Sequence, residues 1–184
     1  MAQEKKTRYV LLGLLSYKPM SGYDIKQAIE RSLNFFWNES YGQIYPMLNA
    51  LAGEGLVVKS VEEGSGKPDR HVYSITESGS AVLREWMEFP PEQPRHRMEI
   101  LLKVFFGGAT SKDVVIRQIE QFRKEQMELL ETYLGIESFL IDRCDNKDEA
   151  WRCYSLMTLR CGIRVSQAMI DWCNETSETL ARLP

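Results

Sequence analysis

Four uncharged polar side chains fall within nine positions: Tyr41, Gln43, Tyr45 and Asn49, in the stretch YGQIYPMLNALA (residues 41–52), which holds no Lys or Arg. Their chemistry is that of contacts to base edges and phosphates. The carboxamides of Gln43 and Asn49 can each pair bidentately with adenine, while tyrosine and serine hydroxyls reach phosphate oxygens. Ile44, Leu48 and Leu51 recur between them at helical spacing and read as core. Gly42 either permits close backbone approach or eases a tight helix start, and Tyr45 reads as a phosphate contact in preference to a purely packed ring. Positive charge stands elsewhere: Lys5, Lys6 and Arg8 near the start, Lys26 in a second segment, and Lys67 and Arg70 in a glycine-containing stretch.

Other chemistries find little support. There is no P-loop, no glycine-rich dinucleotide turn and no G-x-S-x-G elbow. His96, between Arg95 and Arg97, has the side chain of a general base but reads as solvated. Asp142, Asp145, Asp148 and Glu149 read as a charged interhelical loop rather than a cation site. Cys144, Cys153, Cys161 and Cys173 form no C-x-x-C pair and read as reduced thiols in apolar packing. No catalytic residue, metal or cofactor is expected, and the chain does not read as an enzyme.

The bounds agree with a globular chain. It has 184 residues, 43% hydrophobic and 27% charged, with a net charge of −3. No apolar run approaches the roughly 18 residues of a membrane span. The run Tyr9–Leu15 lacks a following signal-peptide cleavage site, so a cytoplasmic protein with no membrane partner is expected. Residues 1–88 hold 10 Lys and Arg against 11 Asp and Glu, and residues 89–184 hold 13 against 15. Neither half is basic, so any nucleic-acid role must rest on local pattern.

Three prolines within Phe89–Pro94 break regular structure and mark a linker over residues 89–95 between domains 1–88 and 96–184. Before it the order reads helix (Thr7–Leu15), helix opened by the box Ser21-Gly22-Tyr23-Asp24, a connection over 32–39, then a helix from Tyr41–Gln43. Pro46 restricts that third helix to a start within one turn of itself. Leu56–Val61 and His71–Ile75 form a hairpin, and Thr76 caps a fourth helix. Everything after the linker reads as helical. Val115, Ile119, Phe122, Gln126, Leu129, Tyr133, Ile136 and Leu140 stripe one long helix. On the last helix, Trp151, Tyr154, Thr158, Cys161, Val165, Ala168 and Trp172 form one stripe, and Leu156, Leu159, Ile163 and Ile170 fill neighbouring sectors. A helix apolar around most of its circumference needs neighbours on several sides, and a symmetric second copy supplies them. Phe122, Leu129, Tyr133, Trp151, Tyr154, Cys161, Val165 and Trp172 are the expected dimer interface.

The fold class expected is therefore mainly α: an N-terminal winged helix-turn-helix of three helices plus a β-hairpin wing, followed by an all-helical dimerisation domain. The words LLGLL (11–15), SGYDI (21–25), GQIYPML (42–48), LAGEGLV (51–57) and YSITESG (73–79) resemble the PadR family of transcriptional regulators. The Lys103–Phe106 stretch and the two long helices resemble the C-terminal domain of the subgroup containing the virulence activator AphA. The resemblance implies a homodimer docking two winged helices on a near-palindromic operator in double-stranded DNA, as a repressor. It makes Ser21, Tyr23, Lys26, Ser40, Tyr41, Gly42, Gln43, Tyr45, Asn49, Lys67 and Arg70 the candidate DNA-contacting residues. The alternative is a protein-interaction adaptor on the same scaffold.

PadR-like proteins often respond to phenolic compounds, which the resemblance extends to a small aromatic effector. Phe35, Phe36, Trp37 and Trp151 are the candidate pocket walls, near the junction with the C-terminal helices; ordinary packing explains them as well. The connection they occupy leads straight into the third helix, so a ligand there would tilt it.

Overall fold

The computed structural model describes residues 2–37, 41–62, 70–92, 97–141 and 150–183. The chain divides into two compact units, residues 1–92 and 93–184.

The N-terminal unit opens with helix α1 (Ala2–Tyr17), which starts five residues before Thr7, the expected start. The polar opening lacks an apolar period but continues the helix. Pro19 follows two residues after α1. Leu11, Leu12, Leu14 and Leu15 of α1 are buried against Ile25, Ile29, Ile44, Leu48, Leu51, Leu56, Val57 and Tyr73. At about 25 cal/mol per Å² of apolar area, this cluster is the main driving force of the unit.

Helix α2 (Gly22–Ala28) opens on a complete capping box: the Asp24 N–H donates to Ser21 Oγ at 3.2 Å and the Ser21 N–H donates to the Asp24 carboxylate at 2.9 Å. Each bond satisfies an amide that a helix start leaves without an acceptor. A π-helical turn (Ile29–Leu33) extends α2 into the segment expected to be connection, keeping Ile29 in the core. A 3-10 turn (Tyr41–Gln43) leads into α3 (Ile44–Gly53).

Strands β2 (Val57–Glu62) and β3 (Arg70–Ile75) pair antiparallel, from Val57 opposite Ile75 to Glu62 opposite Arg70. A third strand, β1 (Met20–Ser21), was not expected; it pairs with Tyr73 and Val72, giving the order β1-β3-β2. Two residues are too short to show a period, so only the finished sheet reveals it. Thr76 caps α4 (Glu77–Glu88), its hydroxyl accepting from the Gly79 N–H at 3.1 Å. α4 returns to α1, where Trp86 stacks on Tyr9 with ring centres 4.6 Å apart.

The regular elements of the C-terminal unit among the described residues are all helical: α5 (Glu99–Phe105), a 3-10 turn (Gly107–Ala109), α6 (Lys112–Ile141) and α7 (Ala150–Ala181). α6 and α7 run antiparallel. Lys112 Nζ donates to the Leu183 carbonyl at 2.8 Å, Arg123 to Asn174 at 2.9 Å, and Arg160 to Glu137 at 2.7 Å. No described helix is long and apolar enough to cross a membrane.

Candidate nucleic-acid interface

α3 carries its apolar side inward through Ile44, Leu48 and Leu51, all at most 1% exposed. Pro46 is the third residue of the helix, where an N–H would have no intrahelical acceptor, so its ring costs no bond. The opposite face presents Gly42, Tyr45, Pro46 and Asn49, at i, i+3, i+4 and i+7, with Gln43 half-buried beside them. This is a polar, uncharged ridge.

Tyr45 is 56% exposed, and one edge of its ring rests on the protein. The side carrying Cε1, Cζ and the hydroxyl lies against Gly22 at the start of α2. Tyr45 also acts on Tyr73 of β3, whose phenol is pushed above its ordinary pKa first by burial and second by Tyr45. Tyr23 is exposed and accepts a hydrogen bond from Gln27 at 2.8 Å, and Lys26 pairs with Glu30 at 3.7 Å. Both present themselves on the outer side of α2, whereas Ser21 is buried in its cap.

Arg70, a candidate DNA contact, is already engaged within the unit. It is the first residue of β3, at the tip end of the hairpin, and turns back to the start of α2, donating to the Asp24 carboxylate and, at 3.0 Å, to Ser21 Oγ. The cause is register: Ser21 lies opposite Val72, two residues along from Arg70, which brings the guanidinium within reach of the capping carboxylate while the side chain stays half exposed. A cavity of about 380 Å³ opens beside this cluster, walled by Lys18, Asp24, Gln27, Ala28, Arg31 and Arg70 among others. Lys18 and Arg31 were not singled out from the sequence. The signal was there, since Asp24, Gln27, Ala28 and Arg31 share one helical face.

The remaining cations of this unit are mostly paired: Lys6 with Glu92 and Arg8 with Glu54, each at 2.9 Å, and Arg84 with Glu77 at 2.7 Å. Lys18, Arg31 and Lys59 make no ion pair among the described residues. Ser40, Lys67, His96, Cys144 and the acidic group Asp142, Asp145, Asp148 and Glu149 lie outside the described residues, as does the Tyr41 side chain. Among the described residues no three His, Cys, Asp or Glu side chains gather to hold a metal.

Of the candidate effector residues, Phe35 and Phe36 are exposed on the turn after Leu33, and the Lys6 ammonium lies 5.9 Å from the Trp37 ring centre. Trp151 belongs to the other unit, at the start of α7, where Arg152 lies 5.2 Å from its ring centre.

The C-terminal helices sort the expected interface residues into two sets. Val115, Ile119, Tyr133 and Leu140 of α6 are buried, and Phe122 meets Trp172 edge-on at 6.4 Å. Tyr133 corrects the expected interface: it is 4% exposed and packs within its own unit against Gly162, where a Cβ would come within 3.0 Å of its ring. Phe122, Leu129 and Trp172 are likewise half-buried within the unit. Toward α6, α7 turns Leu156, Ser166, Ile170 and Cys173, all buried. Trp151, Tyr154, Met157, Cys161 and Val165 therefore point away from α6 and stand exposed. Cys161 is an exposed thiol, not a packed one; Cys173 is buried, and burial pushes its thiol up.

A family model described as the transcriptional regulator PadR-like family matches residues 11–85, and one described as virulence activator alpha C-term matches residues 96–181. The chain is 31% identical to the negative transcriptional regulator PadR of Bacillus subtilis, over 66% of this chain and 68% of that one. The fold is similar to that of Bacillus subtilis PadR in complex with operator DNA (TM-score 0.85, 23% identity, 94% of this chain and 98% of that one). The same protein bound to p-coumaric acid matches with a TM-score of 0.79 and 21% identity, over 98% of each chain. The Vibrio cholerae virulence activator AphA matches with a TM-score of 0.76 and 29% identity, over 95% of this chain and 98% of that one. The uncharged ridge of α3, set in a winged helix and followed by the paired long helices, is thus that of a transcriptional regulator rather than an enzyme: the chain belongs to the PadR family.

Proposed function

We propose that the chain is a homodimeric repressor, acting in the cytoplasm on a near-palindromic operator, with α3 in the major groove of each half-site. The observation that carries this reading is the outward apolar face of α7, where Trp151, Tyr154, Met157, Cys161 and Val165 are exposed in the single chain. A second copy related by a two-fold axis would cover it and set two α3 helices about one turn of DNA apart, roughly 34 Å. Gln43 and Asn49 then read bases. Tyr23, Lys26, Tyr41, Tyr45 and Lys67 hold phosphates, with Ser21 and Ser40 at the helix starts and Gly42 admitting the backbone. Arg70 holds the wing to α2 through one guanidinium nitrogen and keeps its other donors for phosphate. The domain boundary belongs to residues 89–95, between a DNA-binding domain of residues 1–88 and a dimerisation domain of residues 96–184.

The negative regulator to which the chain is similar supports repression, and its complex with p-coumaric acid supports release by a small aromatic acid. In this chain Phe35, Phe36 and Trp37 are the residues that would receive one, since their segment feeds α3. The deciding experiment is selection of bound sequences from random duplex DNA, with sedimentation equilibrium on the same preparation. A two-chain species that enriches a palindrome is expected. A single-chain species, or a pool with no enriched sequence, overturns the reading in favour of a protein-interaction adaptor.

A further inference from the structure

Gly22 is the first residue of α2, and it is buried. Its backbone does not demand glycine: among the described residues only Gly55 has a positive φ. The demand comes from above it. A Cβ at Gly22 would lie 2.8 Å from Cζ of Tyr45 and 3.1 Å from the Tyr45 hydroxyl, and closer still to Cε1. Carbon atoms in van der Waals contact sit about 3.5–4.0 Å apart, so ring and methyl cannot share this space. The ring is at the far end of a side chain that is otherwise 56% exposed, so it would move. α2 is itself held at this end by the Ser21–Asp24 box and by Arg70 from β3, so the backbone under the ring is anchored from two elements.

We infer that Gly22 is a positioning residue for DNA recognition: its missing side chain is the seat that holds the Tyr45 hydroxyl at a fixed place on the α3 ridge for one DNA phosphate. The inference rests on the proposed reading of α3 and names what orients it. A rotating tyrosine would lose conformational freedom each time it bound; a seated one has already lost it.

The test is a double-mutant cycle in the full-length chain, using the duplex that the wild-type chain selects, with variants Gly22→Ala, Tyr45→Ala, Tyr45→Phe and Gly22→Ala combined with Tyr45→Ala. Tyr45→Phe and Tyr45→Ala should each weaken binding about tenfold or more, as loss of a hydrogen bond to a charged group does. Gly22→Ala should weaken it similarly while Tyr45 is present, and by less than about twofold once Tyr45 is alanine. Thermal stability supplies the second readout. Gly22→Ala should lower the melting temperature in the Tyr45 chain and leave or raise it in the Tyr45→Ala chain, because alanine is the better helix former once the ring is gone. An equal loss of affinity from Gly22→Ala in both backgrounds, or no loss in the first, overturns the inference. So does wild-type binding by Tyr45→Phe and Tyr45→Ala, which leaves the regulator standing without this contact. A wild-type chain that selects no duplex removes the function and the inference together.

Discussion

The two units differ in how much apolar surface each gathers into one buried cluster. The N-terminal unit has a large core: leucines and isoleucines from α1, α2 and α3 meet Leu56, Val57 and Tyr73 in one continuous cluster, although Val58, Val61, Met87 and Phe89 stay more than half exposed. In the C-terminal unit the corresponding cluster among the described residues is Ile100, Ile119 and Cys173, while Leu102, Phe105, Phe106, Tyr154, Met157 and Val165 are each more than half exposed. Two helices packed along one seam bury only that seam. The contrast teaches that one unit carries its stability in a core of its own, whereas the other, on the proposed reading, gains part of its stability from a second copy. Its stability is expected to depend on concentration, as that of an obligate dimer does.

The largest test of that contrast is a core truncation. Leu48→Ala, at a fully buried position, should cost about 2–5 kcal/mol and unfold the N-terminal unit early, at a midpoint independent of protein concentration. Urea titrations followed by circular dichroism at two concentrations would show it. Val165→Asp probes the other side. Val165 is 52% exposed in the single chain, so the variant should fold but sediment as one chain. Its operator affinity should fall by about a hundredfold or more, since linked half-sites gain that much from each other. Wild-type assembly in Val165→Asp would mean that another face carries the contact. Thr76→Ala removes the hydroxyl that caps α4 and should cost about 1 kcal/mol, again without concentration dependence.

The smallest effect is on pH. Burial raises Cys173 and Tyr133 in the C-terminal unit and Tyr73 in the N-terminal unit above their ordinary values of 9.0 for cysteine and 10.0 for tyrosine. Below those values both folded and unfolded chains keep the proton. Above them the unfolded chain releases it and the folded chain does not, so stability is lost as pH rises. The C-terminal transition should begin to fall near the ordinary thiol value, ahead of the N-terminal one. Cys173→Ala should delay it, which thermal melts between neutral and alkaline pH can read.

Local chemistry was legible in the sequence and tertiary choice was not. The Ser21–Asp24 box, the confinement of Pro46 to the first turn of α3 and the Thr76 cap each follow from a hydrogen bond made or missing within four residues. The strand Met20–Ser21 is defined by its partner and carries no period of its own. α7 offered two apolar sectors, and composition alone could not say which would meet α6. Packing selected Leu156, Ile170 and Cys173, leaving the more aromatic stripe outside except for Trp172, which meets Phe122. At the site, Gln43, Tyr45 and Asn49 could be named from their types. The contact of Tyr45 with Gly22 and the turn of Arg70 to Asp24 join residues 23 and 46 positions apart, which no local rule reaches.

The pairing of the basic side chains has a kinetic meaning. Lys6, Arg8, Lys26, Arg70 and Arg84 each already face a carboxylate, and α3 offers no cation at all. Loose attachment to arbitrary duplex is almost wholly a matter of phosphates neutralised, and it is what lets a protein slide and hop along a chromosome. With Lys18, Arg31 and Lys59 left unpaired among the described residues, the hold on random sequence would come from cations outside α3. On the proposed reading, salt would then weaken these outlying contacts while leaving the uncharged contacts of the α3 ridge less affected.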